Sequence, residues 1–164
     1  MFGTKLSKVD RLILMRSDMY THSEFEFSGR YKNVSFSATC ADGSKCARFK
    51  HINYSHAIER WDTVIVNFTD QEEDRAMAVA KMMEGMPYDL MGQICHVSKF
   101  QIWKPSPDKT WCSKTVAKLC CAGRGEFRNV VSKLVNIKEI RPDELHMLAT
   151  YFFGILDGVR NYES

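Results

Sequence analysis

The sequence predicts an α+β domain with helices packed on an antiparallel sheet. Three observations carry this. Alternating apolar and polar runs fill the first half, and apolar residues at helical spacing fill the second. Short turn-like segments join the successive strand candidates, which favours antiparallel pairing. The chain has 164 residues, 45% of them hydrophobic and 26% charged, so it is read as one domain over 1–164 with a core of its own.

Arg11–Ser17 is the first strand candidate. His22–Phe27 alternates strictly, with Phe25 and Phe27 on one face and His22, Glu24 and Glu26 on the other. Gly29 marks a turn. Asn33–Thr39 alternates again, with Val34, Phe36 and Ala38 opposite Ser35, Ser37 and Thr39. Ala41–Lys45 holds an Asp-Gly turn signal, and Cys46–Ile52 and Trp61–Phe68 supply two further strands.

Helices come next. Thr69 or Asp70 caps a helix with an acidic first turn, Gln71–Asp74, and an inward stripe of Ala76, Val79, Ala80 and Met83. Gly85 and Pro87 end it. Tyr88–Ile94 is a short helix. The next begins at Trp111 and Cys112, after Pro105 and Pro107, carries Val116, Leu119 and Cys120 inward, and stops at Gly123 or Gly125. Pro142 opens a C-terminal helix with Leu145, Leu148, Phe152 and Ile155 on its apolar face.

A net charge of +3 with no dense Lys/Arg run does not point to nucleic acid. No segment approaches the apolar length of a transmembrane helix, and the start of the chain lacks a signal-peptide pattern, so a cytoplasmic protein is expected. Without a secretory signal the six cysteines are not expected to form a disulfide framework. Cys40 and Cys46 are too widely spaced, and Cys120 and Cys121 too close, for the usual zinc pair, so no metal is expected.

One thiol stands apart. Cys112 falls in the first turn of a helix, where unpaired N–H groups and the positive end of the macrodipole favour an anion. It is either a packed side chain beside Trp111 or a nucleophile. A nucleophile needs a base, and His22 sits beside Glu24 on the polar face of its strand, so the carboxylate is able to orient the imidazole. His51, His56, His96 and His146 carry no comparable neighbour pattern and read as ordinary surface or capped histidines.

The order of these segments resembles the circularly permuted papain-like fold, the group related to NlpC-type cell-wall amidases and lecithin retinol acyltransferase-like proteins. The matching pieces are His22–Glu24, Trp61–Asp62, Gly85–Asp89 and Trp111–Ser113. In permuted members the histidine strand precedes the cysteine helix, as here, and the sequence resembles in particular small bacterial and bacteriophage members. The resemblance covers about residues 10–122 and leaves 123–164 as a C-terminal helical extension that covers the sheet or closes one end of the site.

The resemblance implies an antiparallel sheet or half-barrel packed against helices, with Cys112 as nucleophile and His22 as base. The usual third polar residue lies on the strand after the histidine, where Asn33, Ser35 and Ser37 stand in place of the second histidine of many relatives; Glu24 is the alternative. Ser35, Ser37, Trp111 and Tyr88 are the expected substrate-binding residues. The expected partner is a peptide or acyl substrate, with no metal or organic cofactor. The leading expectation is a thiol hydrolase cleaving an amide, a cell-wall peptide among the candidates. Acyl transfer or ester hydrolysis with the same dyad, and a non-catalytic phage structural or host-binding module, are the alternatives.

Overall fold

The computed structural model describes residues 20–40, 43–51, 61–97 and 105–156. The strand expected at Arg11–Ser17 lies outside them, as do His56 and the first half of the Asp-Gly turn. Among the described residues the architecture is α+β: a three-stranded antiparallel sheet and five α-helices.

The strands are β1 (Phe25–Glu26), β2 (Val34–Thr39) and β3 (Cys46–His51), in that spatial order. β1 pairs with β2 through Phe25 opposite Phe36, and β2 with β3 through Phe36 opposite Phe49. The β1–β2 connection needs left-handed backbone at Gly29 (φ +47°) and Asn33 (φ +66°), conformations these two residue types tolerate best. The central strand is buried on both faces. Phe36 and Ala38 enter the apolar core, while Ser35 and Ser37 are buried on the opposite side.

The helices are α1 (Asp70–Met83), α2 (Leu90–Val97), α3 (Cys112–Gly123), α4 (Gly125–Leu134) and α5 (Pro142–Ala149), which runs on into a π-helical segment, Thr150–Leu156. Thr69 caps α1 as expected. Its hydroxyl accepts from the Glu72 N–H, and the Glu72 carboxylate accepts from the Thr69 N–H at 2.8 Å. Ala76, Met77, Ala80 and Met83 turn inward, whereas Val79 is half-buried. Glu73, also buried in α1, accepts from the Ser28 N–H at 2.5 Å and ties the end of β1 to this helix.

α3 is the central helix, packed along α1 and against β2. Arg75 of α1 donates to the carbonyls of Ala122 and Gly123 at 3.2 and 2.8 Å, satisfying acceptors that the end of α3 would leave unpaired. At Gly123 the Phe68 ring comes so close that a Cβ would lie 2.4 Å from it. Phe127, Phe152 and Phe153 then close the core, with ring centroids 4.9–5.3 Å apart.

Several expectations are corrected. Trp61–Phe68 is not a strand of the sheet. Its alternation is genuine: Val64, Val66 and Phe68 pack against the core while Ile65 and Asn67 are exposed. Alternation reports which side is covered; a strand also needs a free edge to pair with. The His22–Phe27 strand shortens to Phe25–Glu26 because the chain leaves β2 before Glu24. The Tyr88–Ile94 helix starts at Leu90, since Tyr88 and Asp89 are spent on other backbone bonds. Helix α4 was not separately expected, although Phe127 and Val131, four apart and both buried, carry its apolar stripe.

Candidate active site

The site is built where the segment entering β1 meets the N-terminus of α3. Two strand-like links set the position of that N-terminus. Ala47 of β3 bonds Gly85 and Met86, with N···O distances of 2.8 Å both ways. Thr110 in turn donates to Pro87 and accepts from Asp89 at 3.0 and 2.8 Å. Gly85 allows this because its φ of +78° turns the chain sharply after α1. The buried Asp89 carboxylate accepts from the Gly92 and Ser106 N–H groups at 2.9 Å each, holding the start of α2 and the approach to Thr110.

Trp111 is the N-cap of α3, yet its side chain makes no capping bond. The indole is buried, and Nε1 donates to Ser113 Oγ and the Ile140 carbonyl at 3.1 Å each. Ser113 Oγ donates to the same carbonyl at 2.6 Å. Trp111 and Ser113 therefore clamp the residue just ahead of α5, and the N-cap side chain takes none of the first amides of α3. Cys112 sits between the two clamps, with 0% of its surface exposed.

Cys112 and His22 meet side chain to side chain, and each shifts the titration of the other. Burial alone would push the Cys112 thiol up, and it is the largest single effect. The His22 hydrogen bond and charge, with N–H donors from Ser23 and Ser113, reverse it and hold the thiol below its ordinary value. For His22 burial likewise opposes the charge; the interactions with Cys112 and Glu24 overcome it and push the imidazole up to about 10. The ring is densely surrounded, although a third of its side-chain area (33%) still reaches the outside.

Glu24 Oε2 lies 3.8 Å from His22 Nε2, too long for a good hydrogen bond, so what it chiefly supplies is negative charge. Its other oxygen accepts from Ser35 Oγ at 2.7 Å. Ser37 Oγ donates to the Ser23 carbonyl at 2.6 Å. Trp61 packs edge-on against His22 with centroids 6.0 Å apart.

The structure thus brings together Cys112, His22 and Glu24. The other expected site residues fall elsewhere. Ser35 and Ser37 are fully buried, with hydroxyls committed to Glu24 and to Ser23, so they meet the support of the site and have no surface to offer a ligand. Trp111 is likewise buried in its clamp. Tyr88 is half-buried and its hydroxyl donates to Gln93 Oε1. Asn33 is an exposed turn residue with left-handed backbone.

Sequence reasoning gave Trp61 and Asp62 no role beyond the resemblance, and it missed the Ile140 carbonyl and a cluster joining Tyr20, Asp62 and His146. In that cluster the Tyr20 hydroxyl donates to Asp62, and His146 Nε2 lies 3.3 Å from the same carboxylate. None of these has a local signal, because each partner comes from a distant part of the chain.

Among the described residues no group of His, Cys, Asp and Glu has metal-binding geometry, and no helix is long and apolar enough to cross a membrane. Cys46, Cys112, Cys120 and Cys121 are in no disulfide. Comparison with protein-family models, curated proteins and solved structures finds no match.

Proposed function

We propose that this chain is a cysteine hydrolase that cleaves an amide or peptide bond through an acyl-enzyme on Cys112, in a permuted papain-like arrangement. The observation that carries the reading is the Cys112–His22 pair at an uncapped helix N-terminus, with the thiol held down and the imidazole held up. That pattern favours a thiolate–imidazolium pair, the reactive form of a thiol catalyst. The order of the segments supports the permuted arrangement: the histidine precedes the sheet's first strand, and the cysteine opens a later helix packed on that sheet.

In this reading the Cys112 sulfur attacks the carbonyl carbon, and the π pair moves onto oxygen, where N–H groups at the start of α3 stabilise it. The oxyanion collapses and the C–N bond breaks, while the amine leaves with the proton from His22. Neutral His22 then takes a proton from water as the hydroxyl attacks the thioester. The C–S bond breaks, releasing the acid and restoring thiolate and imidazolium. Nε2 faces Glu24, so the reading assigns Nδ1 to the sulfur.

One observation favours a second reading, in which Cys112 is a packed side chain: its surface is fully covered. Alkylation by iodoacetamide, mapped by mass spectrometry over a pH series, separates the two. The hydrolase reading expects Cys112 to react at pH 6 faster than the half-exposed Cys40 and Cys46, and to slow in His22→Ala. A Cys112 midpoint at or above the ordinary thiol value of 9.0 that His22→Ala does not move would overturn it.

A further inference from the structure

The β1–β2 ladder stops where the site begins. Its register sets Phe25 opposite Phe36, and continued by two residues it would set Ser23 opposite Ala38. The strand ends at Phe25 instead. The Ser23 carbonyl takes the hydroxyl of Ser37 at 2.6 Å, and the same hydroxyl lies 3.5 Å from the Ala38 carbonyl. Ser37 therefore stands as a wedge between two backbones that would otherwise pair. It is fully buried, so no solvent competes for its hydroxyl.

The consequence falls on the neighbouring peptide. Freed from the ladder, the Ser23 N–H turns to the Cys112 sulfur, which already accepts from Ser113. The thiol is thus approached by two main-chain donors from two different segments. The α3 donor is fixed by its helix. The Ser23 donor lies outside any element; the Ser37 bond holds its own carbonyl, and the Ser35 bond holds the next residue, Glu24.

We propose that Ser37 is a positioning residue, which holds the chain off the β1–β2 ladder so that the Ser23 N–H is a second main-chain donor to the Cys112 sulfur. This rests on the hydrolase reading. During attack the negative charge passes from sulfur to the adjacent oxyanion, and a donor poised at the sulfur stays within reach of that charge. Ser35, two residues earlier on the same face, does the parallel task for the Glu24 carboxylate. The polar face of β2 is therefore the platform that aims both the donor and the charge partner of His22.

Two measurements test this. In Ser37→Ala the pH profile of Cys112 alkylation should move to higher pH, with a rate on the acid limb about fivefold lower, the loss expected for one hydrogen bond of ordinary strength. Ser37→Thr, which keeps the hydroxyl, should restore it; a purely structural role would lower thermal stability without moving the profile. Second, the Ser23 amide proton, observed by NMR in the unmodified fold, should lie downfield and move upfield in Cys112→Ala. A Ser37→Ala profile that overlays the wild type overturns the proposal, as does a Ser23 amide unmoved in Cys112→Ala. Should Ser37→Ala fail to fold, the amide resonance decides alone. If wild-type Cys112 itself titrates like an ordinary thiol, the hydrolase reading fails first, and that result is distinct from either of these.

Discussion

Glu24→Gln removes one negative charge and little else. The side chain keeps its shape, and its carbonyl still accepts from Ser35, now 2.7 Å away. What disappears is a charge 3.8 Å from His22 Nε2. Two unit charges at that separation interact by about 1 kcal/mol at the dielectric of water and about 4 kcal/mol at an effective dielectric of 20. Glu24 is well buried (7% side-chain exposure) but His22 keeps a third of its area exposed, so solvent screening puts the loss near the lower bound, about 1–2 kcal/mol. That lowers the His22 midpoint by about one pH unit, so the charged pair gives way at a correspondingly lower pH on its alkaline side.

The assay is an NMR titration of the His22 imidazole in wild type and Glu24→Gln, run beside the alkylation rate of Cys112. The His22 midpoint should fall by about one unit, the alkylation rate at neutral pH should change little because the charged pair still dominates there, and the thermal unfolding temperature should barely change. A His22 midpoint that stays in place would refute the assignment of Glu24 as the charge partner. If turnover then falls in Ser35→Ala but not in Glu24→Gln, the third role belongs to β2.

Stability should depend on pH in a way the pair dictates. His22 is raised, so alone it stabilises fully below its unfolded value near 6.5, and that is lost as pH climbs to about 10; Cys112 is lowered, so alone it stabilises above 9.0, and that is lost as pH falls through its folded value. Together folded and unfolded forms hold equal protons between about 6.5 and 9.0, so the pair's contribution is flat there and falls on either side; denaturant melts of wild type against Cys112→Ala across that range should show it. Gly123→Ala should cost about 1–3 kcal/mol in the same melts, because its Cβ meets a core ring at 2.4 Å; an unchanged melt would mean that Phe68 yields freely. Ser113→Ala should cost about 1–2 kcal/mol by removing the 2.6 Å bond to Ile140, and a melt unchanged from wild type would show that Trp111 alone holds that carbonyl.

Periodicity made much of this arrangement legible. The alternation in Asn33–Thr39 separates Phe36 and Ala38 from Ser35 and Ser37 correctly, and the spacing in α3 turns Val116, Leu119 and Cys120 inward. What periodicity cannot report is what lies against each face. A polar stripe on a strand reads as solvent-facing or substrate-facing, yet here it faces Glu24 and Ser23 and is fully buried. Trp61–Phe68 has the alternation of a strand and no place in the sheet, because the same pattern arises whenever an extended segment lies along a core. Trp111 and Ser113 flank the thiol in sequence, and Trp111 reads there as a substrate-binding residue. Their partner is a carbonyl 27 residues beyond Ser113, and no local pattern points to it.

Helix α3 holds three buried thiols, and they separate cleanly. Burial pushes Cys120 and Cys121 up, the latter to about 11. Cys112 is the most thoroughly covered of the three by exposed area and goes the other way. Burial is common to all, so it does not make the difference. Donors do: Cys112 has an imidazole and two main-chain N–H groups, whereas the last turns of a helix offer carbonyl oxygens, the wrong sign for a thiolate. The choice of N-cap matters to this outcome. Asp, Asn, Ser or Thr at position 111 would turn a side-chain oxygen onto the amides of the first turn and compete with the sulfur for them. Trp111 cannot accept such a bond, and its single donor is used on Ser113 and Ile140. An N-terminus left uncapped loses about 1 kcal/mol of helix stability, and the indole clamp and Thr115 offset that loss. The Thr115 hydroxyl donates to the Trp111 carbonyl at 2.8 Å, inside a helix that is buried along nearly all its length. At α3, where a thiol stands beside the first amides, the N-cap side chain thus takes none of them.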